Sequence, residues 1–174
     1  MLTPYYHFTL ENHRQKGWQN KKMKKINIFP MTQADLEEIS PTLSSDFDNF
    51  WSVSILKSEL ANPNSYYFVA KISDQIVGFA GIWKAVDDVH ITDIVVKKDL
   101  RHSGIGSQLI EHLITKSKQL LNETGSLTLE VKESNVNAQK LYQKYGFTTL
   151  GIRKNYYGIN ENAIIMTLFF ENNT

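Results

Sequence analysis

The stretch that most constrains the fold runs from Asp93 to Gly106 and reads DIVVKKDLRHSGIG. It begins with the β-branched apolar residues 94–96, which are typical of a buried strand. A glycine-containing turn follows at 101–106, and after it leucines and isoleucines recur at helical spacing. A strand, a glycine turn and a helix in this order direct free backbone N–H groups at an anion, usually a phosphate. The sequence therefore predicts a site for a phosphate-bearing ligand, with Arg101 adding positive charge beside it.

The glycine spacing narrows the kind of phosphate site. A G-x-G-x-x-G motif is excluded because no glycine lies three residues after Gly106, and a P-loop is excluded because no Gly-Lys-Ser/Thr follows. The motif Arg-x-x-Gly-x-Gly between a strand and a helix resembles the pyrophosphate loop of the GNAT superfamily of acetyltransferases, which bind acetyl-coenzyme A. Taken alone, the motif also fits an ordinary helix start with two glycines.

Composition restricts the class of protein. A chain of 174 residues with 41% hydrophobic and 21% charged residues is expected to form one soluble domain, here 26–174, preceded by an N-terminal extension at 1–25. The absence of cysteine excludes disulfides, thiolate metal sites and a cysteine nucleophile. The five histidines are scattered without ligand spacing, so no metal is expected. No apolar run has membrane-spanning length and no signal peptide is recognisable, which favours a cytoplasmic protein without a membrane partner.

Charge is distributed unevenly along the chain. Residues 1–25 carry six basic residues and one acidic residue, which leaves 13 basic and 17 acidic residues in the remainder. This mildly acidic remainder argues against nucleic-acid binding and suits a cationic substrate, although ordinary surface charge explains it equally well. Residues 1–25 could dock on the domain through their aromatic residues or form a mobile arm, and Met23 is an alternative start of translation.

The order of predicted elements indicates an α/β (α+β) fold. Thr32 and Asp35 have the spacing of a capping box at the start of the first helix. The pattern predicts strands at 26–29, 66–72, 76–83, 90–96, 126–131, 148–154 and 163–169, and helices from Met31, at 52–61, after Gly106 and at 135–145. This order favours a mixed, mostly antiparallel sheet flanked by helices. It also matches the order in the GNAT superfamily, and that resemblance implies a sheet splayed at its centre.

A second motif, S-N-x-x-A-x-x-L-Y-x-x-x-G-F, runs from Ser134 to Phe147. Asn135 and Tyr142 are seven residues apart and share one helix face, on which Ala138 leaves room for a ligand. The motif resembles the second coenzyme A segment of GNAT enzymes. Each residue also has a structural alternative: Asn135 as a helix N-cap, Tyr142 as a packed core tyrosine, and Glu130, on the preceding strand, as a solvated residue.

A third resemblance concerns the C-terminal segment. The sequence Arg-Lys-Asn-Tyr-Tyr at 153–157, followed by Glu-Asn-Ala at 161–163, resembles the signature of bacterial ribosomal-protein alanine N-acetyltransferases. The chain departs from that family at Asn162, where an aspartate is usual, at Phe50, where proline is usual, and at Asp93, where asparagine is common. The first departure removes a negative charge from the presumed acceptor site.

The resemblance implies a set of site residues. Those implied to bind coenzyme A are Ile94, Val95, Val96, Arg101, His102, Ser103, Gly104, Ile105, Gly106, Ser107, Asn135, Ala138 and Tyr142. The implied reaction is direct transfer of the acetyl group from acetyl-CoA to a primary amine, with Glu130 as general base and Tyr142 as general acid. A backbone N–H near Val95 is expected to stabilise the oxyanion. The residues expected near the acceptor are Tyr156, Tyr157 and Glu161.

Three functions remain open at this point. The first is acetylation of the N-terminal α-amine of a protein, for which a ribosomal protein is the leading candidate. The second is acetylation of a small amine, such as a polyamine, an aminoglycoside or an amino acid, or of a protein lysine. The third is a coenzyme A-binding module with little catalysis. The sequence leaves the oligomeric state open.

Overall fold

A computed structural model describes residues 25–47 and 51–170. The predicted N-terminal extension, apart from its last residue, and Phe50 lie outside the described residues. The strands are β1 Asn27–Pro30, β2 Ser65–Ile72, β3 Gln75–Lys84, β4 Asp88–Val96, β5 Ser126–Lys132, β6 Thr148–Gly158 and β7 Glu161–Phe169. The helices are α1 Gln33–Ile39, α2 Leu43–Phe47, α3 Val53–Ala61, α4 Ile105–Leu120 and α5 Val136–Lys144. Among the described residues, no helix is long and apolar enough to span a membrane.

The strands form one seven-stranded sheet in the order β1-β2-β3-β4-β5-β7-β6. Every neighbouring pair is antiparallel except β4 and β5, which run parallel. The β4–β5 pairing covers three residue pairs, from Asp88–Ser126 to His90–Thr128. Beyond His90 the two strands continue without pairing, so the sheet opens into a gap at its centre. The predicted α/β class with a mixed, mostly antiparallel sheet is confirmed.

Alternation along the strands divides the apolar residues between the two faces of the sheet. On β2, Phe68 and Ala70 belong to a core cluster with α4, whereas Tyr67 and Val69 belong to a second cluster with α1, α2 and α3. The first cluster also contains the central leucines and isoleucines of α4, which are buried as the helical spacing predicts. The helices therefore cover both faces and leave the gap between β4 and β5 at the middle.

The predicted capping box at the start of α1 is confirmed. The Asp35 backbone N–H donates to Thr32 Oγ1, and the Thr32 N–H donates to Asp35 Oδ2 at 2.8 Å. Lys71 Nζ lies 2.7 Å from Asp35 Oδ1, so this carboxylate also ties α1 to β2. Burial raises the pKa of Asp35, but the hydrogen bonds from Lys71 and Thr32 outweigh that effect and hold the pKa below its ordinary value.

A β-bulge interrupts β4 two residues after its last pairing with β5, at the start of the gap. Gly81 of β3 pairs with Asp93 and the next residue, Ile82, pairs with Ile91, so Thr92 is the extra residue. Tyr67 of β2 crosses this position, because a Cβ on Gly81 would lie 2.4 Å from Tyr67 Cε1 and 2.7 Å from Thr92 Oγ1. The glycine therefore provides the space that the tyrosine ring occupies.

Two elements differ from the sequence-based prediction: β6 is longer than predicted, and α2 was not predicted. The pattern predicts that β6 ends at Lys154, yet the strand continues to Gly158. This edge strand is exposed along most of its length, so it lacks the apolar alternation by which a strand is recognised. The sequence analysis also missed α2, because a five-residue helix is too short to show a helical period.

We expect Gly81→Ala to lower the free energy of unfolding by about 1–3 kcal/mol, because the added methyl group must displace the Tyr67 ring or the Thr92 hydroxyl. The matched control is Gly151→Ala on β6, where an added Cβ meets nothing within 4 Å. Urea denaturation of the two variants and the wild type measures both effects. Equal stability of the two variants would contradict the tight packing at Gly81.

Candidate active site

The gap between β4 and β5 exposes backbone groups of β4. The Lys97 N–H donates to Val77 O of β3, and the register continues with Val95 opposite Phe79. In an antiparallel pair, the backbone N–H and C=O groups of successive residues point alternately towards and away from the partner strand. Those of Val95 therefore point to β3, and those of Ile94 and Val96 point towards the gap. Since β5 has already left the register, an extended ligand arm could pair with these two residues as a strand would.

The glycine turn is followed directly by the N-terminus of α4. Gly104 is the N-cap residue and has a φ of 88°, a left-handed conformation that favours glycine. No side chain of the described residues caps this helix, and the first N–H to bond back within it is that of Gln108, which donates to Gly104 O. The N–H groups of Ile105, Gly106 and Ser107 therefore have no acceptor within the helix, and an anion could bind them at the positive end of the helix dipole.

Arg101 connects this turn to its surroundings. Its Nε donates to Val96 O and its Nη2 donates to Phe47 O, each at 3.3 Å. The side chain thus joins the end of β4 to the end of α2 and fixes where the turn leaves the sheet. His102, with a φ of 61°, and Ser103, whose hydroxyl donates to Leu100 O, are exposed on the turn.

The two predicted coenzyme A motifs meet in space. A Cβ on Gly106 would lie 3.6 Å from Leu141 of α5 and 3.9 Å from Val96 at the end of β4. The two helices are also joined at Tyr145, the C-cap of α5, whose hydroxyl donates to Glu111 Oε1 of α4 at 2.6 Å. The start of α4, the end of β4 and the middle of α5 therefore enclose one region at the mouth of the gap.

The residues predicted to bind coenzyme A on α5 have structural roles in the described residues. Asn135 is the N-cap, its Oδ1 accepting from the Ala138 N–H at 3.2 Å, which is the structural alternative considered for it. Ala138 and Tyr142 are partly buried, and the Tyr142 ring lies 5.8 Å from that of Phe147. Burial, with a smaller effect of Tyr157, raises the pKa of Tyr142, so the phenol keeps its proton at neutral pH.

Glu130 of β5 is joined to two residues of β6. Arg153 Nη1 lies 3.3 Å from Glu130 Oε1, and the Tyr157 hydroxyl donates to the Glu130 backbone carbonyl at 3.1 Å. The Arg153 guanidinium lies over the Tyr156 ring at 4.5 Å, and the two tyrosine rings meet edge to face at 5.0 Å. Burial and the nearby Tyr156, Glu130 and Asp93 raise the pKa of Tyr157 to about 12. The sequence analysis did not single out Arg153 as a site residue, although it lies in the quoted signature.

The acidic residues beside this cluster are paired. Glu161 Oε1 accepts from Lys132 Nζ at 2.6 Å, so the carboxylate expected near the acceptor is already neutralised by a lysine. The Asn162 side-chain amide donates to Glu133 Oε2 at 2.8 Å. The negative charge that Asn162 itself lacks is thus supplied by Glu133. These four residues, with Ser134 and Asn160, line a depression of about 280 Å³.

Asp93 of β4, which the sequence analysis noted only as a departure from a family pattern, lies beside the gap. The Tyr67 hydroxyl lies 2.9 Å from Thr92 Oγ1 and donates to Asp93 Oδ2 at 3.3 Å. Burial raises the pKa of Asp93 to about 7, an effect that the bond from Tyr67 reduces and the charge of Glu59 increases. The signal in the sequence is a charged residue directly before the apolar run 94–96.

Comparisons with known proteins agree with this geometry. Residues 34–147 match the Acetyltransferase (GNAT) family. The chain is 36% identical over 125 residues, 68% of this chain and 82% of the relative, to a ribosomal protein bS18-alanine N-acetyltransferase of Haemophilus influenzae. It is also 36% identical over 144 residues, 82% of this chain and 94% of the relative, to a Bacillus subtilis protein to which the same activity is provisionally ascribed.

A solved structure gives the same result. The crystal structure of the ribosomal-protein-S18-alanine N-acetyltransferase of Escherichia coli superposes with a TM-score of 0.75 at 28% identity, covering 86% of this chain and 99% of that one. Family match, relatives and fold therefore agree on the enzyme class and on its acetyl donor. The chain belongs to the GNAT family of acetyltransferases and is an N-acetyltransferase that uses acetyl-CoA as its co-substrate.

Proposed function

We propose that this enzyme acetylates the N-terminal α-amine of a protein, and that the acceptor is a ribosomal protein with an N-terminal alanine. The observation that carries the proposal is the attachment of the β6 segment to Glu130. Arg153 and Tyr157 both bond to this residue, and both belong to the segment that resembles the signature of the ribosomal-protein enzymes. The names of the relatives at 36% identity support the same acceptor.

Acetyl-CoA would lie with its pyrophosphate on the N–H groups of Ile105, Gly106 and Ser107 and its pantetheine arm along β4. Hydrogen bonds from Ile94 and Val96 would fix the arm in the gap, where β5 is absent from the register. The thioester would then lie between β4 and β5, close to Glu130 and Tyr142. A backbone N–H of the 94–96 segment is the donor for the oxyanion that forms when the amine attacks.

Glu130 acts as general base on the acceptor nitrogen, through a bridging water molecule. An α-amine has a pKa of about 8, so most of it is protonated at neutral pH and must give up two protons to become an amide. The ion pair with Arg153 fixes the position of the Glu130 carboxylate at the edge of the gap. This arrangement lets a bound water molecule reach both the carboxylate and the amine.

Tyr142 acts as general acid on the leaving thiolate. Its raised pKa means that it carries a proton when the carbon–sulfur bond begins to break. In bulk water a thiol of pKa about 8.5 would be the stronger acid of the two, and the transfer would be uphill. Burial raises the pKa of Tyr142 and so enlarges this difference, but the thiolate in the gap is also removed from water, which raises the pKa of the thiol and offsets the rise at Tyr142.

The acceptor peptide would lie against Tyr156 and Tyr157. Their rings give a flexible N-terminus two apolar walls, and the neighbouring Glu133 carboxylate can attract basic residues that follow the alanine. Glu161, paired with Lys132, would shape this site and contribute little net charge to it.

We expect the enzyme to acetylate a peptide that begins with a free alanine, continues with arginines and contains no lysine. A second peptide with a blocked N-terminus and internal lysines competes in the same reaction, and mass spectrometry identifies the product. Exclusive modification of the first peptide agrees with the proposal. Modification of the second alone, or of neither while a small amine releases coenzyme A, would contradict the proposed acceptor.

We expect Tyr142→Phe and Glu130→Gln each to lower kcat by about 100-fold, the low end for loss of a general acid or base, with an unchanged Kd for acetyl-CoA. Tyr145→Phe is the matched control, since it removes a hydroxyl from the same helix that bonds to Glu111. Single-turnover rates and calorimetric binding separate chemistry from donor affinity. Wild-type kcat in either site variant would exclude that residue from proton transfer.

A further inference from the structure

The proposed reaction removes two protons from the acceptor nitrogen. An ammonium carries three hydrogens and the product amide carries one. One proton must leave before the nitrogen can attack, and a second must leave the tetrahedral intermediate as the thiolate departs. Two proton acceptors therefore have a task, and Glu130 accounts for one of them.

Asp93 is a second carboxyl group at the same gap. In a regular strand Thr92 and Asp93 would point to opposite faces, yet both reach the hydroxyl of Tyr67. The bulge at Thr92 explains this, because an extra residue turns the following side chain. Asp93 is thereby directed, with Tyr67, to the face that carries α3.

The surroundings of Asp93 suit a cationic ligand. The titratable groups that act on it or respond to it are Tyr67 on β2, Glu59 on α3 and Tyr157 on β6. Tyr67 and Tyr157 have raised pKa values and are uncharged at neutral pH, and Glu59 adds negative charge. Among the described residues only Tyr67 donates to this carboxyl, through Oδ2, which leaves Oδ1 for a ligand.

We propose that Asp93 is a second catalytic carboxylate, which binds the ammonium group of the acceptor and takes its first proton. The inference rests on the proposed acetylation of an amine and adds a residue to that site. Asp93 directly precedes Ile94, whose backbone faces the gap, and its charge acts on Tyr157, which is expected near the acceptor; its partial burial keeps water from competing with the ammonium.

The proton balance is as follows. The Asp93 carboxylate and the ammonium become a carboxylic acid and a neutral amine, and the amine nitrogen forms a bond to the thioester carbon. Glu130 takes the second proton from that nitrogen, the carbon–sulfur bond breaks, and Tyr142 protonates the sulfur. Asp93 then releases its proton to water, and the proton on Glu130 returns through water to the Tyr142 phenolate, so that one of the two protons leaves and the other ends on the coenzyme A thiol. Because burial raises the pKa of Asp93 to about 7, its basicity lies close to that of an α-amine of pKa about 8.

The test compares the pH dependence of kcat/KM for the wild type, Asp93→Asn and the control Asp88→Asn. Asp88 is exposed, belongs to the same strand and bonds Ser126 Oγ at the paired end of β4. At pH 7 only about a tenth of an α-amine is neutral, so we expect Asp93→Asn to lower kcat/KM by about 10- to 100-fold. The loss should shrink above pH 9, where the amine is already neutral, while acetyl-CoA affinity and the control stay at wild-type values.

A wild-type pH profile and rate in Asp93→Asn would overturn the inference. The rates are measured on the alanine peptide, a lysine peptide and spermidine. If the wild type acetylates only the lysine peptide or spermidine, the proposed acceptor fails, while the profile of Asp93→Asn on that amine still decides the role of Asp93. If the wild type acetylates none of the three, both fail.

Stability gives a readout that needs no acceptor. The native state holds a proton on Asp93 that the unfolded state releases between about pH 4 and pH 7, so wild-type stability should fall across this range and then level off. We expect the urea midpoint of Asp93→Asn to rise relative to the wild type over the same range. If the difference in urea midpoint between Asp93→Asn and the wild type did not change with pH, the inference would be overturned, because Asp93 would then be too weak a base for the amine.

Discussion

The end of β4–β5 pairing after three residue pairs is the constraint on which the rest of the structure depends. Parallel strands normally continue to exchange hydrogen bonds, so a strand that leaves its neighbour exposes backbone groups that need other partners. Here the open edge of β4 lies beside the uncapped N-terminus of a sixteen-residue helix. One ligand with an extended amide arm and a pyrophosphate satisfies both, and coenzyme A has both parts.

The region around the start of the gap also contains features that are unfavourable for the stability of the fold. Asp93 is partly buried beside Glu59 and has one hydrogen bond from Tyr67 among the described residues. The bulge at Thr92 interrupts the ladder, and Gly81 gives up a side chain so that Tyr67 can cross the strand. Together these features direct a carboxyl group towards the gap. Active sites commonly contain features that lower folding stability but are needed for the chemistry.

Much of the fold could be predicted from the sequence, because its signals are local. The capping box of Thr32 and Asp35, the helical spacing of α4 and the two glycine-containing motifs depend on residues close in the chain. The bulge could not be predicted, since it arises from Gly81, Tyr67 and Thr92 on three different strands. The ion pair of Glu130 with Arg153 was equally out of reach, because the exposed edge strand β6 gives no pattern from which its register can be inferred.

The central claim is that acetyl-CoA fills the gap and completes the sheet along β4. Hydrogen exchange of individual amides, measured by NMR with and without acetyl-CoA, tests it most directly. The account predicts slower exchange at Ile94, Val96 and the first turn of α4, with little change at β1 or β6. Saturating acetyl-CoA that leaves exchange at Ile94 and Val96 unchanged would contradict it, and would mean that the donor is held elsewhere on the domain.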